Sequence, residues 1–199
     1  MAVQARKSSE ERKQEIVRAV LHLISTEGVK SLTAASIAKQ IGVSSGALFK
    51  HFADMDSMLI EAATYACSEI DKTFPEGERS AEERLLLLAT NRVKLIHSEP
   101  GIAWLLRSEE VYKVLPKEGI EILSKMVQKS RSFLMSAIED GMRDGSLRDD
   151  CKPESLLMVV TGTIQNLISK AGFSGRAVSA VEARMNRVLN DLIRMLSAQ

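Results

Sequence analysis

The sequence predicts an all-α fold, with a three-helix amino-terminal head followed by a larger helical body. Three observations carry this. Apolar residues recur at intervals of three and four through most of the 199 residues. Only four prolines and few alternating apolar stretches are present, which argues against a substantial sheet. Aromatics make up 4% of the chain while Leu, Ile, Val, Met and Ala are plentiful, a composition suited to packing helix on helix.

In chain order, residues 1–8 read as a charged arm. Ser8 with Glu11 makes a capping box, and Ile16, Val17, Val20, Leu21 and Ile24 form an apolar stripe that Gly28 ends. Thr33 is an N-cap for a short helix with Ile37, Ala38 and Ile41 on one face. Gly42 supplies a turn with positive φ, Val43 fills the elbow, and Ser44 is expected to cap a second helix that returns Leu48 and Phe52 to the shared core. Small Ala38 lets the two helices approach closely. An apolar pair, a small residue, a turn glycine and a second capped helix at these spacings make a helix-turn-helix. Two helices this short need support from neighbours, which the stripe before Gly28 and the segment after Asp54 (Met58, Leu59, Ala62, Ala66) supply.

These residues, Leu32-Thr33, Ile37-Ala38, Gly42-Val43-Ser44, Ala47-Leu48-Phe49 and His51-Phe52, give residues 10–62 a pattern that resembles the tetracycline-repressor (TetR) family of bacterial transcription regulators. The resemblance implies residues 1–53 as a DNA-binding domain and 54–199 as a helical effector-binding and dimerisation domain. It also implies a dimer that binds a palindromic operator on double-stranded DNA and is released by a small-molecule effector. DNA contacts are expected from Thr33, Ser44, Ser45, Gly46, Ala47, Phe49, Lys50 and His51. The position of Phe49 is usually Tyr in the family, and that of Met55 commonly Lys. Both polar side chains are absent here, which implies weaker anchoring to the DNA backbone. Charge distribution agrees with a nucleic-acid partner. Residues 1–52 hold eight Lys and Arg against four Glu, so this segment is +4 and the remainder −3, although the whole chain is only +1.

Beyond the head, the fourth helix is expected to end near Phe74, before Pro75-Glu76-Gly77. Ser80 with Glu83 opens a helix running to His97, and Pro100 starts a short one containing Trp104. A connection at Val111–Leu115 precedes a long helix that starts at Pro116 and ends at Gly145. The last two helices, 154–171 and 175–197, are apolar on more than one face. They are expected to pack on the body and also to form the homodimer, with Val181 and Val188 at its seam. Gly162 and Ala171 would leave room for close approach. A pocket in the body is expected to be lined by Tyr65, His97, Trp104, Met126, Phe133, Met158 and Asn166.

An enzyme is the weakest reading. There is no glycine-rich phosphate loop or nucleophile elbow, and His22, His51 and His97 lack metal-ligand spacing, so neither metal nor cofactor is expected. Cys67 and Cys151 are too few for a disulfide framework. Cys67 reads as a core residue and Cys151 as exposed. No apolar run approaches the ~18 residues that span a bilayer, and the amino terminus is charged, so a cytoplasmic location without membrane contact is expected.

Overall fold

The computed structural model describes residues 8–107, 109–172 and 178–197, without the side chains of 107, 170–172 and 178–182. Its helices are α1 (Ser9–Glu27), α2 (Ala34–Gln40), α3 (Ser45–Leu48), α4 (Met55–Asp71), α5 (Ala81–Ser98), α6 (Pro100–Arg107), α7 (Glu109–Val114), α8 (Lys117–Asp144), α9 (Pro153–Gly172) and α10 (Val178–Leu196), with a 3₁₀ turn at Val29–Ser31. The fold is all-α, as the sequence predicts. The expected arm with Arg6 and Lys7, and the side chains of Ala171, Val178 and Val181, lie outside the described residues.

Two compact units are present. The first takes in the described residues up to Cys67 together with Pro100–Leu123. Its wall is α1, which buries Ile16, Val17, Val20, Leu21, Leu23 and Ile24 on more than one face. Capping explains where α1 begins: the Ser8 hydroxyl accepts from the Glu11 N–H, and the Glu11 carboxylate accepts from the Ser8 N–H at 2.7 Å. Gly28, at φ 79°, ends it. α2, the 3₁₀ turn and α6 all pack on α1. The seat of α6 depends on Gly101, where a Cβ would lie 2.4 Å from the Leu21 carbonyl oxygen.

The residues expected to form a connection at Val111–Leu115 instead lie mostly in α7. Val111 is fully buried there, and its carbonyl accepts from the Leu115 N–H. Burying one apolar residue per turn is enough to hold a short helix against a neighbour, and α7 touches the 3₁₀ turn.

The second unit takes in Ser68–Glu99 and the chain from Ser124. Leu85, Leu88, Ala89 and Val93 of α5 share a core with Val160, Ile164 and Leu167 of α9 and Met185, Leu189 and Leu192 of α10. A recess between these three helices admits about one water-sized sphere. Where α8 ends, Asp140 accepts from Arg84 and Arg143, both at 2.8 Å, and these bonds hold its carboxyl below the usual range. The end of α10 is tied down by the Arg148 N–H donating to the Leu196 carbonyl at 2.8 Å. α4 stops at Asp71, earlier than expected, and Phe74 turns its ring edge-on to Phe133 at 5.1 Å. Cys67 is buried as expected; Cys151 is half-buried against the second core, where exposure was expected.

Replacing Gly101 with Ala tests the seat of α6. In an unconstrained helix the change would stabilise by about 0.5–1 kcal/mol. Here the methyl meets backbone, and we expect a net loss of about 1–3 kcal/mol, read as a lower urea midpoint. A midpoint that rises would mean that α6 does not sit against Leu21.

Candidate nucleic-acid interface

The head is built from reciprocal caps. At α2 the Thr33 hydroxyl accepts from the Ser36 N–H at 3.1 Å, and the Thr33 N–H donates to Ser36 Oγ at 2.9 Å. Ser36 Oγ also donates to the Ser31 carbonyl at 2.7 Å, so one hydroxyl joins the 3₁₀ turn to α2. The same device opens α4, where Asp54 Oδ1 accepts from the Ser57 N–H at 2.7 Å and Ser57 Oγ accepts from the Asp54 N–H. Both boxes carry serine where α1 and α5 carry glutamate. Serine at that position brings the hydrogen bonds without adding an anion.

The elbow between α2 and α3 closes by two hydrogen bonds. The Val43 N–H donates to the Ala38 carbonyl at 2.9 Å, and the Gly42 N–H to the Lys39 carbonyl at 3.3 Å. This pattern is a Schellman ending, which requires a left-handed residue after the cap. Gly42 has φ 70°, and a Cβ there would meet nothing within 4 Å. Glycine is therefore required by the dihedral angle and not by crowding.

α3 is shorter than expected. Helical hydrogen bonding ends at Leu48, and Phe49 to His51 form a turn in which the N–H groups of His51 and Phe52 both donate to the Leu48 carbonyl. Fully buried Leu48 and buried Phe52 anchor the segment at both ends of that turn. Ser44 does not cap with its side chain as expected. Its carbonyl accepts from the Ala47 N–H at 2.9 Å, while its exposed hydroxyl makes no capping bond. The surface this leaves is small and polar: Ser44 and Gly46 are exposed, Ser45 and Ala47 half-buried, and Lys50 exposed beside Phe49.

This geometry is that of a helix-turn-helix presented on a supporting helix, and residues 16–62 match the model for bacterial regulatory proteins of the tetR family. The head belongs to the TetR family. It is 26% identical over 149 residues to the HTH-type transcriptional repressor KstR2 of Rhodococcus jostii, covering 72% of this chain and 71% of the relative. It is 35% identical over 96 residues to the nucleoid occlusion factor SlmA of Vibrio vulnificus, spanning 46% of this chain and about half (48%) of that relative. The fold is shared with the ketosteroid regulator KstR2 of Mycobacterium tuberculosis (TM-score 0.82, 15% identity, 100% and 99% of the two chains). It is shared too with AibR, solved with isovaleryl coenzyme A and operator DNA (TM-score 0.74, 15% identity, 94% and 98%).

Within this TetR-family head, the residues expected to meet DNA fall into two groups. Ser44, Ser45, Gly46, Ala47, Phe49 and Lys50 are contiguous along α3 and the turn after it. Thr33 is exposed at the start of α2, its hydroxyl engaged by Ser36. His51 is half-buried, and its Nδ1 lies 3.2 Å from Ser9 Oγ in the first turn of α1. That bond ties the turn after α3 to the start of α1, so His51 holds the segment in place. Ser9 and Ser36 were not anticipated from sequence. Ser36 had a signal, since it stands three residues after the Thr33 cap; Ser9 is 42 residues from its partner and had none.

The expected ligand contacts are less coherent. Tyr65 and Trp104 belong to the first unit; His97, Met126, Phe133, Met158 and Asn166 belong to the second. The Tyr65 hydroxyl accepts from Arg18 Nε at 3.4 Å. Phe133 meets Phe74 and has the Arg84 guanidinium 5.8 Å from its ring centre. Asn166 is exposed, and Met158 is 77% exposed on α9. Among the described residues no cluster of His, Cys, Asp and Glu could hold a metal, and no helix is long and apolar enough to cross a membrane.

The two exposed glycines of the head separate conformation from space. Gly42→Ala forces a side chain into the left-handed region and should cost about 1–2 kcal/mol. Gly46→Ala enters open space in a helix and should leave the urea midpoint unchanged or slightly raised. Equal effects of the two changes would contradict the elbow described above.

Proposed function

We propose that this protein is a dimeric transcriptional repressor that binds a palindromic operator and is released by a small-molecule effector. In this reading residues 1–53 bind DNA and 54–199 hold the effector and form the dimer. One observation carries it: a capped, Schellman-closed helix-turn-helix presents a short polar segment with Lys50 at the surface of a basic head. Short side chains at Ser44, Ser45, Gly46 and Ala47 let the backbone approach the groove closely, and Lys50 reaches a guanine edge or a phosphate. A single segment of this size reads few base pairs, so selection of a genomic site calls for two copies on half-sites about one helical turn apart.

The exposed face of α9 supports the dimer. Met158, Val159, Gly162, Gln165 and Asn166 follow one another at helical spacing on that face. Met158 and Val159 are 77% and 51% exposed, Met195 of α10 is 61% exposed, and a Cβ on Gly162 would meet open space. Large apolar groups around an open glycine fit a facing helix from a second copy. Met158 thus suits the interface better than an enclosed pocket. Val188 is packed against the core of its own chain and is a poorer probe of the dimer than expected. The effector is assigned to the helical body, with His97, Met126 and Phe133 of the second unit as its contacts. The chemistry bound by AibR makes acyl-coenzyme A thioesters the first class to test.

The test is binding of the purified protein to the duplex from its own upstream region at moderate salt, then titration with short- and long-chain acyl-coenzyme A. Binding with release by one thioester is expected. Binding without release by these or by a broader small-molecule panel would overturn the effector assignment. The similarity to SlmA favours a second reading as a nucleoid occlusion factor. Chromosome-wide mapping of bound sites separates the two, few promoter sites against many dispersed ones.

Met158→Glu with Val159→Glu places charges on the α9 face without touching the core. We expect a monomer by sedimentation, with helical content retained and operator affinity lower by at least tenfold. Unchanged mass would move the interface elsewhere.

A further inference from the structure

Phe49 stands apart from the other large apolar residues of the head. Leu48 and Phe52, its neighbours along the chain, are both buried, whereas Phe49 is 46% exposed. It is also the one aromatic ring among the large apolar side chains most exposed in the described residues. Its backbone is right-handed helical, at φ −73° and ψ 0°. Phe49 therefore shares a face with Ser45 and Gly46, four and three residues earlier. Side chains on a helix cover the turn that precedes their own Cα. The turn before Phe49 holds Gly46, where even a Cβ would meet nothing within 4 Å. The ring thus borders an uncovered gap in the surface, with the Lys50 cation next to it in sequence.

The occupant of that gap must tolerate a cation and offer an apolar group at the surface of a polar, anionic partner. Duplex DNA does so at one place in the major groove, the 5-methyl group of thymine. A phenyl ring has no hydroxyl to give a phosphate, so its contribution to binding has to come from apolar contact. We propose that Phe49 reads a thymine methyl in each operator half-site, with Gly46 leaving room for the methyl beside the ring. This inference rests on the DNA-binding reading above and adds to it a base preference. Phe49 becomes a source of sequence specificity, where a contact to a phosphate would be blind to sequence.

The experiment uses the full-length protein and a duplex enriched by it from a random library. Thymines in the enriched site are replaced singly with deoxyuridine, which removes the methyl and nothing else. Losing one buried methyl should weaken binding by about fourfold per half-site, and by about fifteenfold when both halves are changed. One position per half-site should respond in this way for the unaltered protein and stop responding in Phe49→Ala, whose fold is checked by circular dichroism. Phe49→Tyr should keep the response, because the ring remains. Enrichment of a site in which no thymine responds to deoxyuridine overturns the inference while leaving the DNA-binding reading intact. So does a response of equal size in Phe49→Ala. Failure to enrich any duplex overturns both.

Discussion

Burial of α1 on more than one side is the constraint on which the first unit depends. α2 and α3 are seven and four residues long, too short to hold helical structure by their own hydrogen bonds. They persist because α2, with buried Ile37 and Ala38, packs on the wall that α1 supplies, and α3, with buried Leu48, packs in turn on α2. The same helix also receives α6, against the backbone of Leu21. A segment that follows α5 in sequence therefore bears on the helix that supports the helix-turn-helix. Within the first unit, any shift of α6 is felt by α1 directly, since two backbones separated by a glycine have no side chains between them to absorb it.

The interface itself is organised by satisfied backbone groups. Caps at α2 and α4, the two bonds of the elbow and the twofold use of the Leu48 carbonyl leave few choices for the path of residues 33–57. Side chains with the most chemistry, Ser44 and Lys50, are the ones this scheme leaves at the surface, while His51 is held back by Ser9. The division suits recognition. The groups that fix geometry are paired within the chain, and the exposed groups can make their hydrogen bonds elsewhere without unbalancing the fold.

The second unit shows a different balance. Its core is assembled from α5, α8, α9 and α10, and its recess is close to filled. Aromatic and cationic side chains gather between the end of α4, α5 and α8, where Arg92 lies 5.1 Å from the centre of the Phe74 ring and donates to Thr73 and Ser130. Lys129 joins the group by pairing with Asp71. Such residues read in sequence as scattered charges and rings. They meet because they recur on α5 and α8 at the spacings that face one another across the unit.

Sequence by itself determined most of the helices, four of their caps and the elbow. The Ser8, Thr33, Asp54 and Ser80 caps, the stops at Gly28 and Gly145 and the left-handed Gly42 are all properties of a few adjacent residues, whose hydrogen bonds and dihedral angles are local. The pattern of buried residues in α1 followed from its period for the same reason. Tertiary structure decided what depended on distant neighbours. α7 formed where a connection was expected because Val111 found a buried place. His51 was claimed by Ser9, Cys151 was half covered and Met158 was left outside, each according to what packed beside it. Periodicity names the apolar face of a helix, but it carries no information about which faces receive a partner and which are left in water, because that is settled by the whole set of helices together.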